Sequence, residues 1–298
     1  MSVRAPGKLV VTGAYAVLYG ARAVVFAVDR YARATARLAS STSPEFRAAM
    51  REGPWPVVDT SEMVHRGIKM GLGSSAASLV VALAVRAGAR DLDTEAKRQA
   101  LFDSAYAAHH AAQGGGSGID LAASVWGGAQ SLTAGAKLRE SHAVPAGLSW
   151  RAYFSGVSVK TSAFVAKVDA VRARPDVVQI LDELGFASDR ASRVFAAGDA
   201  LAFVDAAVGV REQLLRLGAA ADVPIVTPSM SAFHDHALTH GAIALPAGAG
   251  GGDVVIAVSA GQNVKELDEA AASFGWTPLE LHLDLHGVCD GDRRVDHG

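Results

Sequence analysis

The run Lys69-Met70-Gly71-Leu72-Gly73-Ser74-Ser75-Ala76-Ala77-Ser78 is the stretch best suited to chemistry: a glycine-rich loop that turns directly into an apolar helix. Gly71 and Gly73 can take backbone angles closed to other residues and let a ligand touch the main chain. Ser74 and Ser75 are placed to cap the helix. Small residues fill its first turn, so the free N–H groups of the helix start face open space. Those groups and the helix dipole together attract an anion, most simply a phosphate. A tight turn with an ordinary serine cap is the competing reading. The loop lacks the G-x-x-x-x-G-K-[ST] spacing, and no G-x-G-x-x-G follows a strand here.

Two further glycine-rich loops stand far away in the chain. Gln113-Gly114-Gly115-Gly116-Ser117-Gly118-Ile119-Asp120 opens a short helix reaching residue 125. Its Ser117-Gly118-Ile119-Asp120 has the S-x-x-D form of a capping box, in which the acid only stabilises a helix start. Gly248-Ala249-Gly250-Gly251-Gly252-Asp253 leads into Val254-Val255-Ile256-Ala257-Val258, a buried strand. So many glycines before such a strand indicate close packing against a ligand loop, with a tight turn as the simpler alternative. Asp253 reads as structural, and Lys8 taken alone as a solvated lysine. His234, His236 and His240 lie close together, but without an H-E-x-x-H pattern they read as solvated histidines of a helix face.

Holding these loops requires interleaved strands and helices. Strands are expected at 9–12, 23–28 and 30–38, with a brief one at 57–58. Residues 40–56 carry no clear pattern and read as a loop or short helix. Helices follow at 76–87 and 94–112, the latter capped by Thr94, then a strand pair at 129–132 and 138–144. The character changes near 145–150, which sets an expected boundary between domains at 1–149 and 150–298. The second part reads as a strand at 150–156 and helices at 161–171, 175–185, 188–197, 199–217 and 229–240. Strands at 242–245 and 254–258, a helix at 264–274 and a strand at 279–285 complete it, with a frayed tail from Gly287. The order lacks a regular βαβ rhythm, so the fold class is α+β.

Composition narrows the function classes. With 298 residues, half of them hydrophobic, the chain can build one large or two modest cores. A formal charge of −2 offers no basic field for nucleic acid or an anionic membrane. The single cysteine, Cys289, excludes an internal disulfide framework and a thiolate metal cluster. No stretch approaches the roughly 20 apolar residues of a membrane span, and Pro6, Gly7 and Lys8 interrupt the only apolar run a signal peptide could use. A soluble, cytoplasmic globular protein is the expectation.

Ala5-Pro6-Gly7-Lys8, the loop at 71–77 and the loop at 248–253 together resemble, in order and spacing, the three motifs of the GHMP kinases. That family contains galactokinase, homoserine kinase, mevalonate kinase and phosphomevalonate kinase. The likeness spans nearly the whole chain and is greatest to the phosphomevalonate kinase branch. It is carried also by Gly13-Ala14-Tyr15-Ala16-Val17-Leu18, Ala27-Val28-Asp29-Arg30-Tyr31, Asp59-Thr60-Ser61-Glu62 and Ile225-Val226-Thr227-Pro228. The resemblance implies an S5 domain 2-like N-terminal domain that binds ATP and a ferredoxin-like C-terminal domain, with the site between them. It implies phosphoryl transfer from ATP to a small molecule, 5-phosphomevalonate foremost. Mevalonate kinase, an ATP-dependent decarboxylase of the family, and a nucleotide sensor without turnover are the alternatives. The oligomeric state is not fixed by the sequence, with a homodimer as the candidate assembly.

Residue by residue, the resemblance implies that Lys69, Gly71, Leu72, Gly73, Ser74, Ser75 and Ala76 cradle the ATP phosphates and that Ser74 also meets Mg²⁺. A hydroxyl oxygen suits that hard cation. Asp120 matches the aspartate that acts as base or positions the acceptor, and Lys8 the lysine that supports it. Ser117, Gly118, Lys160, Thr161, Ser162, Gly248, Ala249 and Gly250 fall at positions around the acceptor. Two departures stand out. Ala14 replaces an acidic residue that several relatives carry, and Leu245-Pro246-Ala247 stand where phosphomevalonate kinases often have a lysine and a serine.

Overall fold

The computed structural model describes residues 2–39, 55–88 and 92–291. The chain opens with β1 (Ser2–Thr12), a 3-10 turn at Ala16–Tyr19, β2 (Ala23–Ala39) and β3 (Trp55–Asp59). The short hairpin β4 (Val64–His65) and β5 (Ile68–Lys69) leads into α1 (Ser74–Arg86), then α2 (Glu95–Gln113) and α3 (Ile119–Trp126). Strands β6 (Ala129–Leu132), β7 (Arg139–His142) and β8 (Leu148–Phe154) precede the helices α4 (Thr161–Val171), α5 (Pro175–Ala196), α6 (Ala200–Ala221) and α7 (Pro228–Thr239). The chain closes with β9 (Ala242–Pro246), β10 (Val254–Ala260), α8 (Asp268–Ser273), β11 (Thr277–Leu279) and β12 (Cys289–Asp290).

Every strand pairing is antiparallel among the described residues. The first sheet runs β12-β1-β2-β6-β7 with β3 also on β2, and the second runs β11-β8-β10-β9. Antiparallel strands in separate sheets with helices between them make an α+β fold. Helices α1 and α3 pack on β1 and β2, α5 packs on β2, and α6 packs on β9 and β10. The paired helices α5 and α6 therefore join the two sheets. Strand β10 explains its own sequence: Val254, Ile256 and Val258 face the large core, while Val255 and Ala257 face a second cluster with Tyr153, Phe233 and Trp276. A strand buried on both faces has no polar alternation. Each fully buried aromatic or aliphatic side chain there contributes about 1.5–3 kcal/mol of transfer free energy.

Several elements differ from the sequence expectation. Strand β1 begins at Ser2, so Ala5-Pro6-Gly7-Lys8 lies inside a strand; a register shift between Pro6 and Gly7 accommodates the proline. The expected strands at 23–28 and 30–38 are one strand, and the brief strand at 57–58 extends from Trp55 to Asp59. Most of the unpatterned 40–56 segment lies outside the described residues. Helix α5 runs through Gly185 without a break, and a β-carbon there would make only an ordinary contact with Ala21, at 3.7 Å. Gly198, at φ +74°, does separate α5 from α6.

Residues 280–285 form no strand beyond an isolated bridge between Leu283 and Val28. The segment past Gly287 is fastened rather than frayed. Asp284, fully buried, accepts hydrogen bonds from the Tyr31 hydroxyl (2.8 Å) and from the backbone N–H groups of His286 and Gly287. Cys289 and Asp290 then pair with Arg4 and Val3, while residues 292–298 lie outside the described part.

Candidate active site

Strand β1 clamps the first glycine loop. The Lys8 N–H donates to the Leu72 carbonyl (2.9 Å), and the Lys8 ammonium donates to the Gly71 carbonyl (3.0 Å). Gly7 is required there, since a β-carbon would stand 2.7 Å from the Leu72 oxygen. Leu72 itself is buried, anchoring the loop to the core. Gly71 and Gly73 both have positive φ, +74° and +78°. Behind Gly71 lies Asp253, whose carboxyl carbon would be 2.5 Å from a β-carbon at that position.

The helix start is open. Gly73, not a serine, occupies the cap position of α1, and no side chain caps it. Ser74 and Ser75 are the first helical residues, which corrects the expectation that they cap. The first backbone donor satisfied there is Ala77, by Gly73; among the described residues the N–H groups of 71–76 have no acceptor. The Ser74 hydroxyl is likewise without a partner, half-buried beside them. A run of free N–H groups at the positive end of a 13-residue helix is suited to an anion. Ser75 is exposed, Ala76 is buried in the helix–sheet contact, and Lys69 is exposed on β5.

Asp120 comes to the same place from α3. The capping box does not form: Gly118 is the cap residue at φ +72°, and the Asp120 carboxylate accepts only from the next N–H, Leu121 (3.2 Å). Gly118 lies under the Tyr106 ring, and the Ser117 carbonyl accepts from Gly135, so both hold the loop's shape. A β-carbon at Gly73 would lie 3.1 Å from Lys8 Cγ and 3.6 Å from Asp120 Cβ. Lys8 and Asp120 thus flank the open helix start. Burial pulls the Lys8 ammonium below the ordinary lysine range, and the Asp120 and Asp253 carboxylates work against it.

The third loop closes the other side. A β-carbon at Gly248 would be 3.8 Å from the Lys8 ammonium nitrogen. Gly250 has no room for a side chain because the Ile225 carbonyl oxygen would lie 2.0 Å away, and the Gly251 N–H donates to that same oxygen (2.9 Å). Asp253 fixes the segment before α4: its N–H donates to the Val157 carbonyl (2.7 Å) and its carboxylate accepts from the Val159 N–H (3.2 Å). Burial raises the Asp253 carboxyl above its usual range, opposed first by that Val159 bond. Lys160, Thr161 and Ser162 follow directly, all exposed, at the start of α4.

Some expectations do not survive, and one residue was missed. His234 is buried, its Nδ1 accepting from the Ala244 N–H (3.1 Å), so it is a core histidine and not a solvated one. Among the described residues no cluster of three or more His, Cys, Asp or Glu could hold a metal. Leu245 is buried in β9 and places no polar group in the site. Tyr15 was not assigned a role from the sequence, yet its hydroxyl donates to the Ala249 carbonyl (2.7 Å). No spacing rule relates residues 234 positions apart. The hint available was a bulky residue beside Gly13 in a turn.

Comparison with known proteins agrees with this geometry. Residues 46–128 match the family model described as the GHMP kinases N terminal domain. The chain is 27% identical over 264 residues to a phosphomevalonate kinase of Streptomyces sp. (strain CL190), covering 79% of this chain and 70% of that one. Over these residues the chain is similar to the GHMP kinases. A mevalonate kinase of Archaeoglobus fulgidus is also 27% identical, over 287 residues that cover 89% of this chain and 94% of the relative. The fold matches that of Streptococcus pneumoniae phosphomevalonate kinase, solved with phosphomevalonate and AMPPNP. The TM-score is 0.78 at 18% identity, covering 95% of this chain and 99% of that one. The chain thus carries the fold of these kinases. No helix among its described residues is long and apolar enough to cross a membrane.

Proposed function

We propose that this protein is a GHMP kinase that transfers the γ-phosphoryl group of ATP to 5-phosphomevalonate, giving the 5-diphosphate. The carrying observation is the convergence of Lys8, the uncapped start of α1, Asp120 and the loop at 248–250 on one space. Phosphoryl transfer asks for alignment and charge neutralisation more than for covalent chemistry. The free N–H groups of 71–76 would hold the ATP phosphates. Asp120 would accept or steer the proton of the acceptor hydroxyl as its oxygen bonds to the γ-phosphorus and the bond to ADP breaks. Lys8 would offset negative charge between the two. The Ser74 hydroxyl, without a partner among the described residues, would suit Mg²⁺ brought in with ATP, whose other ligands would be phosphate oxygens and water. That ion would neutralise charge on the transferring group.

A phosphorylated acceptor adds about two negative charges, and Lys69 and Lys160 have no ion-pair partner among the described residues. Lys160 is the better placed, since Asp253 ties residues 157–159 to the third glycine loop. The buried Leu245, with no lysine at its position, favours the second reading, mevalonate itself as acceptor. A coupled ADP-release assay over mevalonate, 5-phosphomevalonate and homoserine decides between them. The expected result is at least about a tenfold preference in kcat/KM for 5-phosphomevalonate, ~1.4 kcal/mol, largely lost in Lys160→Met. Equal or better turnover of mevalonate by the unmutated enzyme would overturn the choice of acceptor.

A further inference from the structure

Tyr15 lies in a turn made rigid by its neighbours. Gly13, at φ +90°, has Cα of Ala23 within 2.5 Å of where a β-carbon would stand, and its carbonyl accepts from the Val17 N–H (3.0 Å). Tyr15 itself is a non-glycine residue at φ 63° and ψ −53°, a costly backbone conformation. Its side chain is 4% exposed. Burial raises the phenol above its ordinary range, so the hydroxyl stays a donor. All of this aims one O–H at the Ala249 carbonyl, 2.7 Å away.

The receiving loop has little else to hold it. Gly248 (φ +147°) and Gly250 (φ +81°) flank Ala249, and glycine has the greatest backbone freedom to lose. The loop is anchored at its ends, by Ala247 to Val254 and by Gly251 to Ile225. Among the described residues the Tyr15 hydroxyl makes the only hydrogen bond to residues 248–250. Gly248 stands next to the Lys8 ammonium.

We infer that Tyr15 is a positioning residue: its hydroxyl latches the third glycine loop so that residues 248–250 face Lys8 and the acceptor. The catalytic part of this rests on the phosphotransfer reading above; the latch itself does not. The loop is thereby ordered before the acceptor arrives. Preorganisation of this kind lowers the ordering cost of binding.

Tyr15→Phe keeps the ring and removes the bond. Tyr19→Phe is the control, because it removes a hydroxyl-to-carboxylate bond to Asp169 (2.8 Å) from the same turn without touching the loop. Hydrogen exchange followed by mass spectrometry should show faster exchange in the peptide covering 247–252 of Tyr15→Phe by about five- to tenfold, the factor that one net hydrogen bond implies. Peptides of β10 should be unchanged, and Tyr19→Phe should match the unmutated protein throughout. In steady-state assays KM for the acceptor should rise by a similar factor while KM for ATP stays within about twofold. Unchanged exchange at 247–252, or equal acceleration across the whole chain, would overturn the latch. If no mevalonate-type acceptor is turned over by the unmutated protein, the functional reading falls, and the exchange measurement still decides the latch.

Discussion

Substituting Gly73 by alanine separates the site from the fold, because a matched control exists just past the other end of the same helix. Gly73 precedes α1 at φ +78° and Gly88 follows it at φ +72°. An alanine at either position must hold a left-handed backbone, which costs about 1–2 kcal/mol. The surroundings differ. Nothing lies within 4 Å of a β-carbon at Gly88, whereas one at Gly73 meets Lys8 Cγ at 3.1 Å and Asp120 Cβ at 3.6 Å. The lysine stem can yield a few tenths of an ångström, so the added stability cost at Gly73 is small. Its methyl group nevertheless occupies the space between the two charged side chains and the free N–H groups. Both variants should therefore lose about 1–2 kcal/mol in urea denaturation. Only Gly73→Ala should lose activity, by about 10²-fold in kcat/KM, the scale on which a misplacement of about 1 Å acts. ADP release at 25 °C, where both remain folded, measures it. Activity of Gly73→Ala within about threefold of Gly88→Ala would refute the placement of the site at the start of α1.

The remaining expectations follow from single side chains. Asp120→Asn keeps an acceptor for the Leu121 N–H, so it should cost about 1 kcal/mol or less in stability while kcat falls by roughly 10²–10⁴; early melting with normal activity of the folded fraction would make Asp120 purely structural. Ser74→Ala should fold normally, since its hydroxyl has no partner, yet lose about a hundredfold in turnover, ~2.7 kcal/mol. His234 gives a pH dependence: burial first, then the Arg211 guanidinium, hold it below its ordinary 6.5. Below pH 6.5 the unfolded chain binds a proton that the folded state refuses, so stability should fall as pH drops, by up to ~1.4 kcal/mol per unit until the lowered folded-state pKa is reached. Urea midpoints at pH 7 and pH 5.5 for the unmutated protein and His234→Gln check this, the variant being expected to show the shallower slope.

Local rules made much of the architecture legible in the sequence. The glycine loop ahead of α1, the Thr94 cap of α2 and the doubly buried run of β10 all announce themselves through neighbours in the chain, and each is present. Local rules also misled where tertiary packing outweighed propensity. Gly185 reads as a break but lies within one continuous helix, and the chain after Leu285 is held by the buried Asp284 and by pairing of Cys289 and Asp290 with β1. The S-x-x-D pattern at Ser117 has the letters of a cap, yet Gly118 takes the cap position and leaves Asp120 beside Lys8 and Gly73.

What the sequence determined by itself was the set of backbone segments that present glycine turns and free helix N–H groups, because both depend on only a few consecutive residues. Their assembly was decided by tertiary structure alone. Lys8 reaches Gly71 because β1 lies against the loop, and Tyr15 reaches Ala249 because the helices α5 and α6 hold the two sheets together. Such contacts depend on positions 63 and 234 residues apart. Hydrogen-bond geometry at 2.7–3.0 Å is set by where whole elements pack, and no short stretch of sequence carries that information.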